Sequence, residues 1–206
     1  TSRIILITGA SRGIGRGLAE HFLKAGDTVC GCSRSPSALK HRRYSHFELE
    51  IADEKAVVAM VREIVRRHGR IDALLNNAGI AAMNHALLTP AAVAQQIMAT
   101  NFHGTFLCCR EAAKAMVRRK TGRIVNFTTV ATPLRLEGEA LYAASKAAVE
   151  SFTQVLAREL GASGVTVNAV GPTPVPTDLI KNVPAAKLEA LLARQAIRRL
   201  GTVADV

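Results

Sequence analysis

The sequence predicts an α/β domain built on a doubly wound parallel β-sheet with helices on both faces. Three observations predict it. Short β-branched apolar runs alternate with long helical patterns along all 206 residues. The runs lack the polar alternation of half-exposed strands, as strands covered on both faces do. A glycine cluster follows the first run and opens the first helical pattern, the place where such folds take a phosphate group.

The elements follow in order. RIILIT (3–8) reads as the first strand and 13–25 as the first helix. TVCGC (28–32) and HFELE (46–50) read as the next two strands, with a helix over 54–68. DALLNN (72–77) is the fourth strand, followed by a long helical pattern over 90–119. RIVNFTT (123–129) and VTVNAV (165–170) are the last two strands, separated by a helix over 140–162. A final helix is predicted over 185–195. The longer loops are 33–45, 78–89 and 171–184, the last carrying four of the seven prolines. No repeat and no second domain is visible, so 1–206 reads as one domain, long enough to bury a sizeable core. Hydrophobic content is 49% with 4% aromatics and no Trp, so that core is built from Ala, Val, Leu and Ile.

Composition narrows the function classes. The four cysteines fall in two pairs, Cys30/Cys32 and Cys108/Cys109, each within an apolar stretch and without a metal-ligand spacing. They read as reduced, buried thiols of a cytoplasmic protein, with no metal site. No signal peptide and no run long enough to span a bilayer is present. The formal charge of +11 is spread over helix faces and ends, with no aromatics among the basic residues. That pattern is a solvated surface, and a nucleic-acid or membrane partner is not expected.

The glycine loop carries the first chemistry. In TGASRGIG, Gly9 permits a tight turn, Gly13 lets the backbone approach a pyrophosphate, and Gly15 lets the helix lie close to the sheet. The helix N-terminus then offers free N–H groups to phosphate. After the second strand stand Ser33 and Arg34, where an NAD-binding fold usually has an acid. With Arg12 in the glycine loop they suit a 2′-phosphate, so the expected cofactor is NADP(H).

Taken together, the motifs resemble the short-chain dehydrogenase/reductase family, whose fold is Rossmann-type. TGASRGIG (8–15), NNAG (76–79), Asn101, YAASK (142–146) and VNAVGPTPVPTD (167–178) follow in the family's order and spacing. Within the family the chain looks most like bacterial 3-oxoacyl-(acyl-carrier-protein) reductases. The resemblance implies a catalytic tetrad of Asn101, Thr129, Tyr142 and Lys146. Tyr142 would be the proton donor, Lys146 would lower its pKa and hold ribose hydroxyls, Thr129 would polarise the carbonyl, and Asn101 would hold a water. It also implies cofactor contacts from Gly9, Ser11, Arg12, Gly13, Ile14, Gly15, Ser33, Arg34, Glu50, Ile51, Asn77, Ala78, Gly79, Tyr142, Lys146, Pro172, Val175 and Thr177. Asn77 can equally hold the central strands together.

Two departures fall at the site. Thr129 stands where the family has serine, and Thr173 where it has glycine, with Pro174 and Pro176 following. Threonine keeps the hydroxyl and narrows the pocket. Leu134, Leu136 and Leu141 are expected to form an apolar substrate wall. The expected function is NADPH-dependent reduction of a ketone, a 3-oxoacyl thioester or a related keto substrate, free or carrier-bound. The alternative is a catalytically weak dinucleotide-binding regulator. The resemblance implies a homodimer or homotetramer through the two long central helices. It also implies that the family's C-terminal strand and tail are missing after LGTVADV (200–206), leaving the domain truncated relative to the family.

Overall fold

The computed structural model describes residues 2–181 and 183–206. Six parallel strands form one sheet: β1 (Ile4–Thr8), β2 (Thr28–Ser33), β3 (Tyr44–Glu48), β4 (Ala73–Asn76), β5 (Gly122–Phe127) and β6 (Val165–Val170). Their order is β3-β2-β1-β4-β5-β6. The helices are α1 (Gly13–Lys24), α2 (Glu54–His68), α3 (Ala91–Met98), α4 (Gly104–Arg118), the short α5 (Ala131–Leu134), α6 (Ala140–Gly161) and α7 (Ala185–Ala193).

The central strands feed two cores because successive side chains leave opposite faces of a sheet. Leu6, Leu74 and Ile124 point to the face covered by α2, α4 and α6, where they meet Val57, Ile64, Leu107, Met116 and Leu156. Ile5, Ile7 and Leu75 point to the other, where Ala19 and Leu23 of α1 cover them. This explains the missing polar alternation of β1, β2 and β4, whereas β6 alternates buried Val165 and Val167 with exposed Thr166 and Asn168, and β3 at the sheet edge is only partly buried. Local signals set the helix ends. Asp53 caps α2 by accepting from the amides of Lys55 and Ala56, and Gly69 closes it in the left-handed region at φ 73°.

Three boundaries differ from expectation. The third strand is Tyr44–Glu48 rather than 46–50, because Tyr44 pairs with Val29 and the backbone leaves the sheet before Glu50. The fifth ends at Phe127, so Thr128 and Thr129 lie in the loop beyond it. The helix expected over 90–119 is three pieces, since α3 passes into α4 through a wide π turn over Ala99–His103.

All four cysteines are free and buried, and burial pushes the thiols of Cys32 and Cys109 up to about 12. No helix among the described residues is long and apolar enough to cross a membrane. Chain order reverses between β1 and β4, so the loops after them part and leave a crevice at the strands' C-terminal ends.

Candidate active site

The crevice is an apolar cleft of about 310 Å³. Its floor holds Ile14 after the glycine loop, Asn77 and Gly79 after β4, and Phe127, Thr128 and Thr129 at the end of β5. Tyr142 and Lys146 enter from α6, and Pro172, Thr173, Pro174, Val175 and Thr177 from the loop after β6. Residues scattered through the sequence thus meet at one end of the sheet.

The glycine loop is built for close approach. Gly9 sits at φ 71°, and a side chain there would meet the Asn77 amide nitrogen at 2.8 Å. A methyl at Gly15 would meet the same nitrogen at 2.5 Å. Asn77 fills that space because its amide donates to the carbonyls of Thr8 and Gly9 at 3.0 and 3.3 Å. The Ala78 amide donates to the Thr8 hydroxyl at 3.0 Å. Asn77 therefore ties β4 to the loop after β1, the structural role that the sequence left open.

Tyr142 is buried at 9% exposure, and Lys146 at 4%. They lie one turn apart on α6 and face the same cleft. Burial raises the pKa of the Tyr142 phenol, the neighbouring Thr129 hydroxyl pulls it down, and the Glu139 carboxylate pushes it up. The net direction is upward, with burial the largest cause. In this arrangement the Lys146 ammonium donates to the Phe127 carbonyl at 2.7 Å, and its own pKa is brought down to about 8 by burial. The Thr129 hydroxyl also accepts from the Ala131 amide at 3.1 Å, which fixes it beside the tyrosine at the start of α5.

Asn101 lies in the π turn and is fully buried. Its carboxamide accepts from the Ile80 amide at 2.8 Å and donates to the Ile80 carbonyl and the Ser145 hydroxyl, both at 2.9 Å. Both donors are used, so the side chain braces the loop after β4 against α6, and it does not line the cleft. The extra backbone residue of a π turn is what delivers it there. Ser145, unmarked in the sequence, passes the brace on by donating to the Tyr142 carbonyl at 2.7 Å.

The adenosine end is more varied. Ser11 sits in the loop that enters α1, and Gly13, the first residue of that helix, lies against the Thr177 methyl. Arg12 pairs with Asp178 at 2.8 Å, and Arg34 faces Glu50 at 3.8 Å, all four side chains well exposed. Ser33 donates to the Ser35 carbonyl at 2.7 Å and meets His46 at 2.9 Å, so its hydroxyl is already engaged. Ile51, expected beside adenine, is instead 4% exposed and belongs to the core against Gly104. Its side chain is spent there, and only its backbone remains for a ligand.

The expected apolar wall is partly right. Leu136 lines the cleft, whereas Leu134 and Leu141 do not. Met83, Leu179, Ile180, Val183, Leu188 and Leu191 also line it. Sequence reading missed these because they come from loops and from α7, where no periodicity marks the inner face. The Thr173 hydroxyl is paired with the Gln195 side-chain amide, which ties the loop after β6 to the segment after α7.

The residues fit a dinucleotide. The loop excludes side chains at Gly9 and Gly15, the cleft runs from Ile14 to Thr177, and Lys146 has further donors on its ammonium. This fold, glycine loop and Tyr–Lys pair define a dinucleotide-dependent oxidoreductase. The short chain dehydrogenase family model matches residues 3–188, and the chain belongs to that family of NAD(P)-dependent enzymes. It is 33% identical over 211 residues to the 3-oxoacyl-(acyl-carrier-protein) reductase FabG of Staphylococcus aureus, covering 98% of this chain and 86% of the relative. The Vibrio cholerae FabG is 32% identical over 210 residues, covering 99% and 86%. Among solved structures, ElxO with NADP bound superposes with a TM-score of 0.90 at 29% identity, over 98% of this chain and 87% of that one. A short-chain dehydrogenase from Streptomyces avermitilis gives 0.82 at 30% identity, over 87% and 68%.

Proposed function

We propose that this protein reduces a ketone to a secondary alcohol with NADPH, and that the ketone is a 3-oxoacyl thioester or a close relative. The observation that carries the reading is the convergence of Tyr142, Thr129 and Lys146 on one apolar cleft that also contains the glycine-loop helix start. The similarity to FabG and to NADP-bound ElxO supports it.

The nicotinamide, when bound, supplies the hydride. The protein's part is the oxygen of the carbonyl. Thr129 donates a hydrogen bond to that oxygen and orients it beside Tyr142. The Tyr142 phenol, held above its ordinary pKa by burial, stays protonated through neutral pH and gives its proton to the forming alkoxide. Lys146 turns its remaining donors to the ribose hydroxyls and stabilises the phenolate left behind. The apolar walls exclude water from the step. Gly9, Gly15 and the start of α1 hold the pyrophosphate. Arg12 and Arg34, both exposed and each facing one carboxylate, Asp178 and Glu50, are the residues that would hold the 2′-phosphate. A cytoplasmic homodimer or tetramer would associate through α4 and α6, where Val155 is 54% exposed.

The test is NADPH oxidation with an acetoacetyl thioester, free and carrier-bound, with NADH run in parallel. Turnover with NADPH supports the reading. Tight NADPH binding without turnover on any keto substrate would move the assignment to the regulator.

A further inference from the structure

Glu139 is the side chain that the mechanism does not use and the fold does not explain. It sits at the N-terminus of α6, three residues before Tyr142, and is 9% exposed. Its side chain does not cap the helix, although that is its position. One carboxyl oxygen is fully buried without a hydrogen-bond partner among the described residues. The residue lines the cleft, as do Met83, Leu136, Val183 and Leu188. Lys187, whose charge acts on the carboxyl, donates instead to the Glu137 carbonyl at 3.3 Å.

Burying an unpartnered carboxyl is unfavourable, and such a group is kept where a ligand completes it. Apolar clefts fix the orientation of a ligand through a few polar groups of this kind. A carboxylate accepts hydrogen bonds and carries negative charge, so the group that completes it is a donor. Its place one turn before Tyr142 puts that donor on the same helix face as the proton donor.

We infer that Glu139 is a specificity-determining residue, and that among 3-oxoacyl thioesters and related ketones it favours those bearing a hydroxyl or protonated amine near the carbonyl. This rests on the ketone-reductase reading. A buried acceptor built for a substrate donor discriminates strongly against the analogue that lacks it, because the acceptor is then left unpaired.

The test uses the full chain and three ketones of matched size, ending in methyl, hydroxyl or ammonium. The wild type is compared with Glu139→Gln and Glu139→Leu by kcat/KM. Binding of the corresponding alcohols to the NADP-saturated protein is measured by calorimetry. The wild type is expected to favour a donor-bearing ligand over its methyl counterpart by about tenfold or more in both readouts. Glu139→Leu should erase that preference, and Glu139→Gln should keep it for hydroxyl and lose it for ammonium, with NADPH affinity unchanged. The larger of the two effects, with hydroxyl or with ammonium, tells which donor the site is built for. Equal ratios in the wild type and Glu139→Leu overturn the inference. If no ketone is turned over, the reductase reading fails, and the calorimetric ratio still decides what Glu139 recognises. Should Glu139→Leu fail to fold, the near-isosteric Glu139→Gln supplies the comparison.

Discussion

Lys146→Met should make the protein without cofactor more stable at neutral pH, although it removes a hydrogen bond. Lys146 is 4% exposed, and burial brings its pKa from 10.5 to about 8. Between those values the unfolded chain binds a proton that the native state does not, so wild-type stability rises with pH across the window. Below pH 8 the full cost of burying the charge is present, about 3 kcal/mol. Above the window it vanishes. Methionine carries no such cost at any pH. The variant's advantage over the wild type should therefore be greatest near pH 7 and shrink by about 1.4 kcal/mol per pH unit through the window. The Phe127 hydrogen bond offsets part of this by about 1 kcal/mol, which moves the whole difference without changing its slope. Urea denaturation of both proteins at intervals from pH 7 to pH 10 reads the slope directly. A difference that does not change with pH would refute the reasoning, because it would mean the ammonium is not desolvated.

Three further outcomes follow from the site. Gly15→Ala places a methyl 2.5 Å from the Asn77 amide nitrogen, so the loop must open, and NADPH affinity measured by fluorescence titration should fall at least about tenfold. Arg12→Ala and Arg34→Ala should each lower the NADPH-over-NADH preference by about tenfold in kcat/KM while leaving NADH kinetics nearly unchanged. Thr129→Ser should keep the rate within a few-fold, whereas Thr129→Val, which keeps the shape and loses the hydroxyl, should cost roughly 100-fold in kcat.

Much of this fold was legible from its pattern. The apolar runs mark the inner strands because β1, β2 and β4 are covered on both faces. The third strand was displaced because Tyr44, Ser45 and His46 are no apolar run, and their pairing with β2 decides the matter. The π turn around Asn101 was invisible because one extra residue within a long apolar helix leaves the periodicity almost intact. The glycine loop and the Tyr142–Lys146 pair could be read because their spacing carries their geometry. Three features could not be read that way. The Lys146 contact with the Phe127 carbonyl, the Arg12–Asp178 pair and the Ser145 brace join segments far apart in sequence. Glu139 did leave a signal, since three residues before Tyr142 on a helix is the same face. Its burial and missing partner, which give that signal meaning, exist only in the fold.

The central claim is that Tyr142 gives the proton in a reduction driven by NADPH. It is tested most directly by the single-turnover rate of NADPH oxidation with a 3-oxoacyl thioester in the wild type and in Tyr142→Phe, with NADPH affinity measured for both. The account predicts turnover in the wild type, a loss of at least about 100-fold in the variant, and equal affinity. A variant that turns over as fast as the wild type would contradict it.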